Sequence, residues 1–342
     1  MKKGIIFVLV SMLVLSCAVY AKKKKVDPPK WLGNPKSEYP ENMYLSAIGE
    51  ADSRSMAENM AAANLSKIFE SNVKTDETYT QRYQELTKNG QTSYEDQSDV
   101  TKNVNIQSGQ TLINLEFGDS YTNDMGRVFV IAYLNRMKTG QIYEEKINEN
   151  AAKIEYYQKL SNESSDLLFK YAALGAAAAI STNNEILLDQ LGIIFPSAKE
   201  MLQLNYNHTD IMKQSSAIAK QISFQVKIKN DEDKKITILV EELMNDLGFV
   251  LSHEYLLYVD GTVLFEDTDL QREEKFVRYE LQLQVSDLYD NTILTLDTKG
   301  REGHISYPEA RARAVRSVEK EIKKELKKKM ISYFDSMVLK KS

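Results

Sequence analysis

The chain has 342 residues, of which 27% are charged, with a single cysteine, six prolines and a formal net charge of −5. One cysteine excludes a disulfide framework, and a balance that falls to about −7 once Lys2 and Lys3 are removed disfavours nucleic acid as a partner. About 320 residues beyond the leader are enough for two domains with cores of their own.

Lys2 and Lys3 open a short cationic start, and Gly4 to Ser16 follow without a charge through Ile5, Phe7, Leu9, Met12 and Leu15. This has the form of a secretory signal over residues 1–21. The apolar run of about 13 residues is well short of the ~20 that a helix needs to cross a hydrocarbon core. Cys17 stands where that run ends, and Val14-Leu15-Ser16-Cys17 resembles a lipobox, although Leu15 departs from the usual small residue. Acylation of Cys17 is therefore expected. The alternative is ordinary cleavage after Ala21, with Val19 and Ala21 at the two positions that matter, giving a soluble periplasmic chain.

Residues 22–42 hold Lys22 to Lys25 and four of the six prolines, and read as an extended spacer whose lysines either lie at the headgroups of an anionic membrane, if Cys17 is acylated, or form a solvated linker that merely follows the signal. Trp31 is expected to pack back onto the first domain. That domain, 43–138, starts with a short strand from Tyr44 to Gly49, followed by a helix with Ser55-Met56-Ala57-Glu58 as a capping box. Ala57, Ala61, Leu65, Ile68 and Val73 share one face of it. The polar stretch from Thr75 to Asn105 reads as the end of the helix, a connection and the start of a strand. Strands over Thr111 to Tyr121 and Arg127 to Asn135 then pair across Asn123-Asp124-Met125-Gly126, the second apolar on both faces and central.

Residues 139–221 form a helical segment of three or four helices, with Ile147, Ile154 and Tyr171 at helical spacing and an alanine-rich piece, Ala172 to Ala179, suited to close helix packing. From 222 to 342 a second βαβββα unit is expected. Ile222 to Lys229 is a strand and Lys235 to Leu247 a helix ended by Gly248. Asp260-Gly261 reads as a hairpin turn, and Lys275 to Asp287 and Thr292 to Thr298 as two more strands. A long final helix starts at a second capping box, Ser306 to Glu309, and buries Ala310, Ala314, Val318, Ile322 and Leu326. Gly49 with its alanine-striped helix is matched in style by Gly300 and the Ala310/Ala314 stripe, as a degenerate repeat or by convergent packing. The fold class is α+β: two small sheet-plus-helix units joined by a helical segment.

Pro29-Lys30-Trp31, the run Tyr44-Leu45-Ser46-Ala47-Ile48-Gly49-Glu50-Ala51, and the helix bearing Ala57, Ala61, Ala62, Leu65 and Ile68 come in a fixed order that resembles the LPP-twenty lipoprotein family over about residues 29 to 135. The same domain is similar to the amino-terminal part of flagellar assembly protein T. The resemblance implies a bacterial outer-membrane lipoprotein with a small α/β interaction domain, and supplies no catalytic residues.

Catalytic signatures are missing from the sequence. His208, His253 and His304 lie about 45 to 50 residues apart with no Cys or His at ligand spacing, so neither a metal nor a cofactor is expected. There is no nucleophile elbow and no phosphate loop. Gly300-Arg301-Glu302-Gly303 reads as a strand-to-helix turn, and the acidic runs Asp231-Glu232-Asp233 and Glu266-Asp267 with Asp269 as solvated turns. Lys320, Lys323, Lys324, Lys327, Lys328 and Lys329 read as a charged outer face near a helix carboxyl terminus. The 19 tyrosines against 11 phenylalanines suit half-exposed sheets and contact surfaces. The expectation is a non-catalytic envelope lipoprotein, outer-membrane and periplasm-facing, held by a lipid and binding other envelope proteins, with a soluble module for cell-wall glycan or a small ligand as the alternative.

Overall fold

The computed structural model describes residues 27–69, 77–88, 104–105 and 111–340. The signal segment, Cys17, Lys22 to Lys25, Val73 and much of the polar stretch 75–105 lie outside the described residues.

The segment 27–42 is not an extended spacer. It carries α1 (Lys30–Gly33) and a 3-10 turn, Pro35–Ser37. Pro35 occupies the first helical position, where its missing N–H costs nothing, and the Asn34 side chain accepts from the Lys36 amide at 3.2 Å. Trp31 is buried, and the Tyr39 ring lies 4.7 Å from Tyr133 and 5.5 Å from Tyr44. Aromatic burial fixes a stretch that its prolines alone would have left extended.

The first sheet takes the order β1 (Tyr44–Ala51), β5 (Val128–Asn135), β4 (Glu116–Thr122), all antiparallel. The central strand is the one that reads as apolar on both faces. Asn123 shapes the β4–β5 turn, its side-chain oxygen accepting from the amides of Met125 and Arg127 at 3.0 and 2.9 Å. The strand expected from Thr111 is broken. Thr111–Leu112 (β3) pairs with Val104–Asn105 (β2), and Asn114 turns through a positive φ of 61° before β4 begins.

Helix α2 (Arg54–Ser66) lies on this sheet, and β1 does not end at Gly49 but runs two residues past it. A Cβ on Gly49 would sit 2.2 Å from the Ala57 carbonyl oxygen and the Ala61 amide nitrogen, so the glycine is where helix backbone meets strand backbone. Asn64 ties the two by donating to the Ile48 carbonyl at 2.9 Å. The helix cap is Ser53, which accepts from Met56 N at 3.4 Å, rather than Ser55. Glu58 pairs with Arg54 one turn back. The buried stripe holds at Ala57, Ala61 and Leu65 but fails at Ile68, because a 3-10 turn, Lys67–Phe69, rotates Phe69 inward and leaves Ile68 exposed.

Part of the presumed connection is a helix, α3 (Glu77–Lys88). The central layer is a hairpin of α4 (Arg136–Glu163) and α5 (Leu167–Ile194), 28 residues each, followed by α6 (Pro196–Met201) and α7 (His208–Ala219). Ala172 to Ala179 is buried throughout, since side chains this small let α3, α4, α7 and the final helix approach α5 closely.

The second sheet has the order β10 (Thr292–His304), β9 (Lys275–Asp287), β8 (Leu257–Thr268), β6 (Ser223–Lys229), β7 (Val250–Leu251). Helix α8 (Lys235–Asp246) crosses from β6 to β7, and Gly248 at φ +87° follows its end as expected. The Asp260-Gly261 hairpin is absent. These residues lie inside β8, paired on one side with Lys227 and Ile228 and on the other with Gln284 and Leu283. The inward set Leu257, Val259, Gly261 and Val263 keeps its period of two straight through the dipeptide. Likewise β10 continues through Gly300 and Gly303, which are not a turn. Each faces the ring of its cross-strand partner, Tyr279 and Phe276, and a Cβ would strike those rings at 2.4 and 2.7 Å.

Helix α9 (Tyr307–Leu339, 33 residues) closes the fold along the predicted face and extends it through Met330, Phe334 and Val338. Ser306 is its N-cap but makes no side-chain cap bond. The lysines at 320 to 329 sit mid-helix rather than at its carboxyl end, so a dipole effect does not explain them. The stripe Ala310/Ala314 packs on Val277, whereas Gly300 meets a tyrosine rather than a helix, so only half of the Gly49 arrangement recurs.

Gly49→Ala is expected to cost about 3 kcal/mol in urea unfolding, since the clash is with backbone that has no flexible end to yield. Gly33→Ala, where a Cβ meets nothing within 4 Å, should stay within about 0.5 kcal/mol of the parent.

Candidate functional site

Helix α3 carries the least predictable functional group in the chain. Arg82 reaches across 253 residues of sequence to Asp335 on α9, its Nε 2.7 Å and Nη2 2.6 Å from the carboxylate Oδ1. Nη2 also donates to the Ala172 carbonyl at 3.2 Å. Both side chains are buried, Arg82 to 6% and Asp335 to 2% exposure. Gly175 makes room for the guanidinium: a Cβ there would lie 2.3 Å from Nη1. Burial holds the Asp335 carboxyl above the usual carboxylate range, an upward shift that the adjacent guanidinium offsets only in part. The second oxygen, Oδ2, is buried with no hydrogen-bond partner.

Arg82 of this pair lines a cleft of about 230 Å³ between α3, α5, α7, α9 and the turn after α8. Arg82, Tyr171, Gly175, Ser215, Lys327 and Ile331 are among its walls. Tyr171 is held firmly. Its hydroxyl donates to the Leu247 carbonyl at 3.2 Å, its ring meets Phe249 and Phe334 edge-on at 5.0 and 4.8 Å, and burial pushes its pKa up to about 12.

A polar layer crosses the helices above this cleft. Asn150 donates to Asn184 Oδ1 at 2.8 Å, and Asn184 donates to the Ile147 carbonyl at 3.0 Å and to the Tyr206 hydroxyl at 3.1 Å. Such a network fixes the register of α4 against α5. Ser181 and His208 are 3.0 Å apart, within the reach of a nucleophile and its base. Here, however, the serine is fully buried and its hydroxyl donates to the Ala178 carbonyl at 3.0 Å, so the contact anchors the start of α7.

The three histidines stay apart, on α7, in the β7–β8 link and at the end of β10. Among the described residues no group of three or more His, Cys, Asp or Glu side chains is placed to hold a metal. Asp231 does a structural job, accepting from the Thr237 amide and hydroxyl at 2.7 and 2.8 Å at the start of α8. Glu266 and Asp267 belong to β8 rather than to a turn, and Asp267 pairs with Arg311 at 3.2 Å. Cys17 lies outside the described residues.

The surface of the first unit is apolar in an unusual way. Among the described residues its large exposed hydrophobic side chains are Met43, Met56, Met60, Ile68, Met125 and Met137, five of the six being methionine. Met56 and Met60 lie one turn apart on the outward face of α2, Met125 is in the β4–β5 turn, and Met43 and Met137 flank the opposite end of the sheet. On the sheet face away from α2, Tyr39, Tyr44 and Tyr133 cluster, Tyr44 edge-on to both others, and Tyr133 donates to Glu116 at 3.0 Å. Burial and that carboxylate push the Tyr133 pKa up to about 12.

Of these surface residues all but Met137 fall within one matched region. Residues 29–135 match the LPP20 lipoprotein family. The buried Trp31, the Gly49 crossing and the central β5 all lie in the LPP20 region, whereas Arg82 is its only contribution to the cleft's ion pair. No curated protein matches the chain. Among solved structures, the secreted protein HP1454 from Helicobacter pylori is 13% identical and aligns over 85% of this chain and 97% of that one, with a TM-score of 0.39. A minor lipoprotein from Acinetobacter baumannii is 11% identical and covers 32% of this chain and 92% of its own, with a TM-score of 0.26. No helix among the described residues is long and apolar enough to cross a membrane.

Replacing Asp335 by Ala strands a buried guanidinium, so unfolding free energy is expected to fall by about 3–5 kcal/mol. Replacing the pair together, Arg82→Met with Asp335→Leu, should recover most of that loss. A single-variant loss below about 1 kcal/mol in denaturant titration would show that the pair is not what holds α3 in place.

Proposed function

We propose that the chain is an exported envelope lipoprotein that works by contact and performs no catalysis. A lipid on Cys17 holds it at the outer membrane facing the periplasm, and the LPP20 unit presents its surface to other envelope proteins. The LPP20 match supports the lipoprotein character. The observation that favours contact is the methionine surface, with Met56 57%, Met60 48%, Met125 85% and Met137 64% exposed. Methionine is unbranched and polarisable, so it adapts to a partner's contours at lower cost than a rigid side chain, and it is over-used on binding surfaces. A partner surface would also account for the half-exposed tyrosines on the opposite face of the sheet.

Mild crosslinking in the native host followed by purification is expected to return defined envelope proteins. Met56→Ser together with Met60→Ser should reduce their recovery severalfold while leaving the unfolding midpoint unchanged, because both side chains are largely outside the core. Recovery of a clean monomer from the parent chain would overturn the contact reading. Feeding cells an alkyne fatty acid should label the parent chain and not Cys17→Ala. Label on neither, with the mature chain beginning after Ala21, would instead make it a soluble periplasmic protein.

A further inference from the structure

The geometry points to a second, independent capability: the Arg82 cleft is a binding site for a small monocarboxylate with an apolar body. Arg82 is 94% buried, as its 6% exposure requires, yet only Nε and Nη2 are used by Asp335 and Ala172. Among the described residues Nη1 makes no hydrogen bond to a protein acceptor. It lies against Gly175, and both residues line the open space. Nη1 is not among the buried polar atoms left without a partner, so solvent in the cleft reaches it, and an acceptor entering there can take a charge-assisted bond from it.

A second donor is in the same cleft. Lys327 on α9 lines it, as do Ser215 and Ser216 on α7, while Tyr171, Met212 and Ile331 supply apolar wall. Two cationic donors suit the two oxygens of a carboxylate. The volume of about 230 Å³ corresponds to roughly seven or eight waters, enough for a short acid and too little for a polymer segment.

Charge balance selects the class of anion. Asp335 already neutralises Arg82, and Asp246 at the exposed end of α8 lines the same cleft as Lys327. The formal charge of the lining is therefore close to zero. A monoanion gains two charge-assisted bonds there, whereas the second charge of a dianion such as hydrogen phosphate would find no further cation in the lining and would lie in the same cleft as Asp246.

The test uses the purified mature chain and titration calorimetry with hexanoate, hexanamide and inorganic phosphate. Hexanoate is expected to bind, and hexanamide, which has the same body without the charge, to bind at least about tenfold more weakly. Phosphate is expected not to bind. Lys327→Gln should weaken hexanoate at least about tenfold with an unchanged unfolding midpoint, and Ser215→Ala should weaken it less. Arg82 itself is avoided because its removal leaves Asp335 unpaired. The proposal is overturned if hexanoate and hexanamide bind alike, if phosphate binds as well as hexanoate, if Lys327→Gln leaves hexanoate affinity unchanged, or if no heat of binding appears at millimolar hexanoate. None of these results bears on the crosslinking partners or on acylation of Cys17, so the two readings fail separately.

Discussion

The α4–α5 hairpin is shared by both cores, α4 giving Tyr143 and Ile147 to one and Ile154 and Tyr157 to the other, and the rest of the molecule is arranged around that sharing. The amino-terminal half of α5, from Phe169 to Ile180, belongs to the core that includes the second sheet and α9. The carboxyl-terminal half, Leu187, Leu188, Leu191 and Ile194, belongs to the core under the first sheet. The halves differ in size for a reason. Where α3, α4, α7 and α9 crowd round the helix its residues are mostly alanine and glycine, and where it meets the smaller unit they are leucine and isoleucine. A larger side chain in the alanine stretch would force whole helices apart, since interiors packed at crystal-like density have no slack to absorb it.

Close packing of this kind limits where charge can go, and the Arg82–Asp335 pair shows the consequence. Replacing a buried pair with apolar residues of equal volume is often neutral or stabilising, so net stability is a poor explanation for its presence. Its geometry is more informative. The guanidinium needs the missing Cβ of Gly175, an alanine carbonyl from α5 and a carboxylate from α9, and only one placement of α3 satisfies all three. The amphipathic stripe of α3 is polar enough to slide, and the pair removes that freedom.

What the sequence made legible follows the range of the interaction. Elements fixed by local periodicity were readable: the alanine stripe of α2, the central β5, the buried run of α5 and the face of α9. Errors came where a distant partner decided. Asp260-Gly261 is a strong turn signal over two residues, but β6 and β9 pair with the chain on both sides of it, and the unbroken alternation from Leu257 to Val263 was the better guide. Gly300 and Gly303 look like turn residues until Tyr279 and Phe276 are seen opposite them. Arg82 offered no signal, because nothing near it in sequence marks a partner 253 residues away. The methionine surface was written in the composition, but exposure is a tertiary property and a methionine in a helix reads equally well as core.

The same separation constrains how the fold can be completed. Arg82 lies in the first quarter of the chain and Asp335 within its last residues, so α3 has no counter-charge until α9 has been made and docked. Before that step the guanidinium must stay hydrated, and burying it alone would cost several kcal/mol. Local elements such as the α4–α5 hairpin and the β4–β5 pair can form early, because closing short loops costs little entropy. The cleft cannot. Arg82, held by Asp335 of α9, is part of its lining and Lys327 and Ile331 of α9 are another part, so it exists only once the carboxyl-terminal helix is seated. A ligand that binds there would therefore stabilise the complete chain selectively, because any form lacking the docked α9 has no site to offer it.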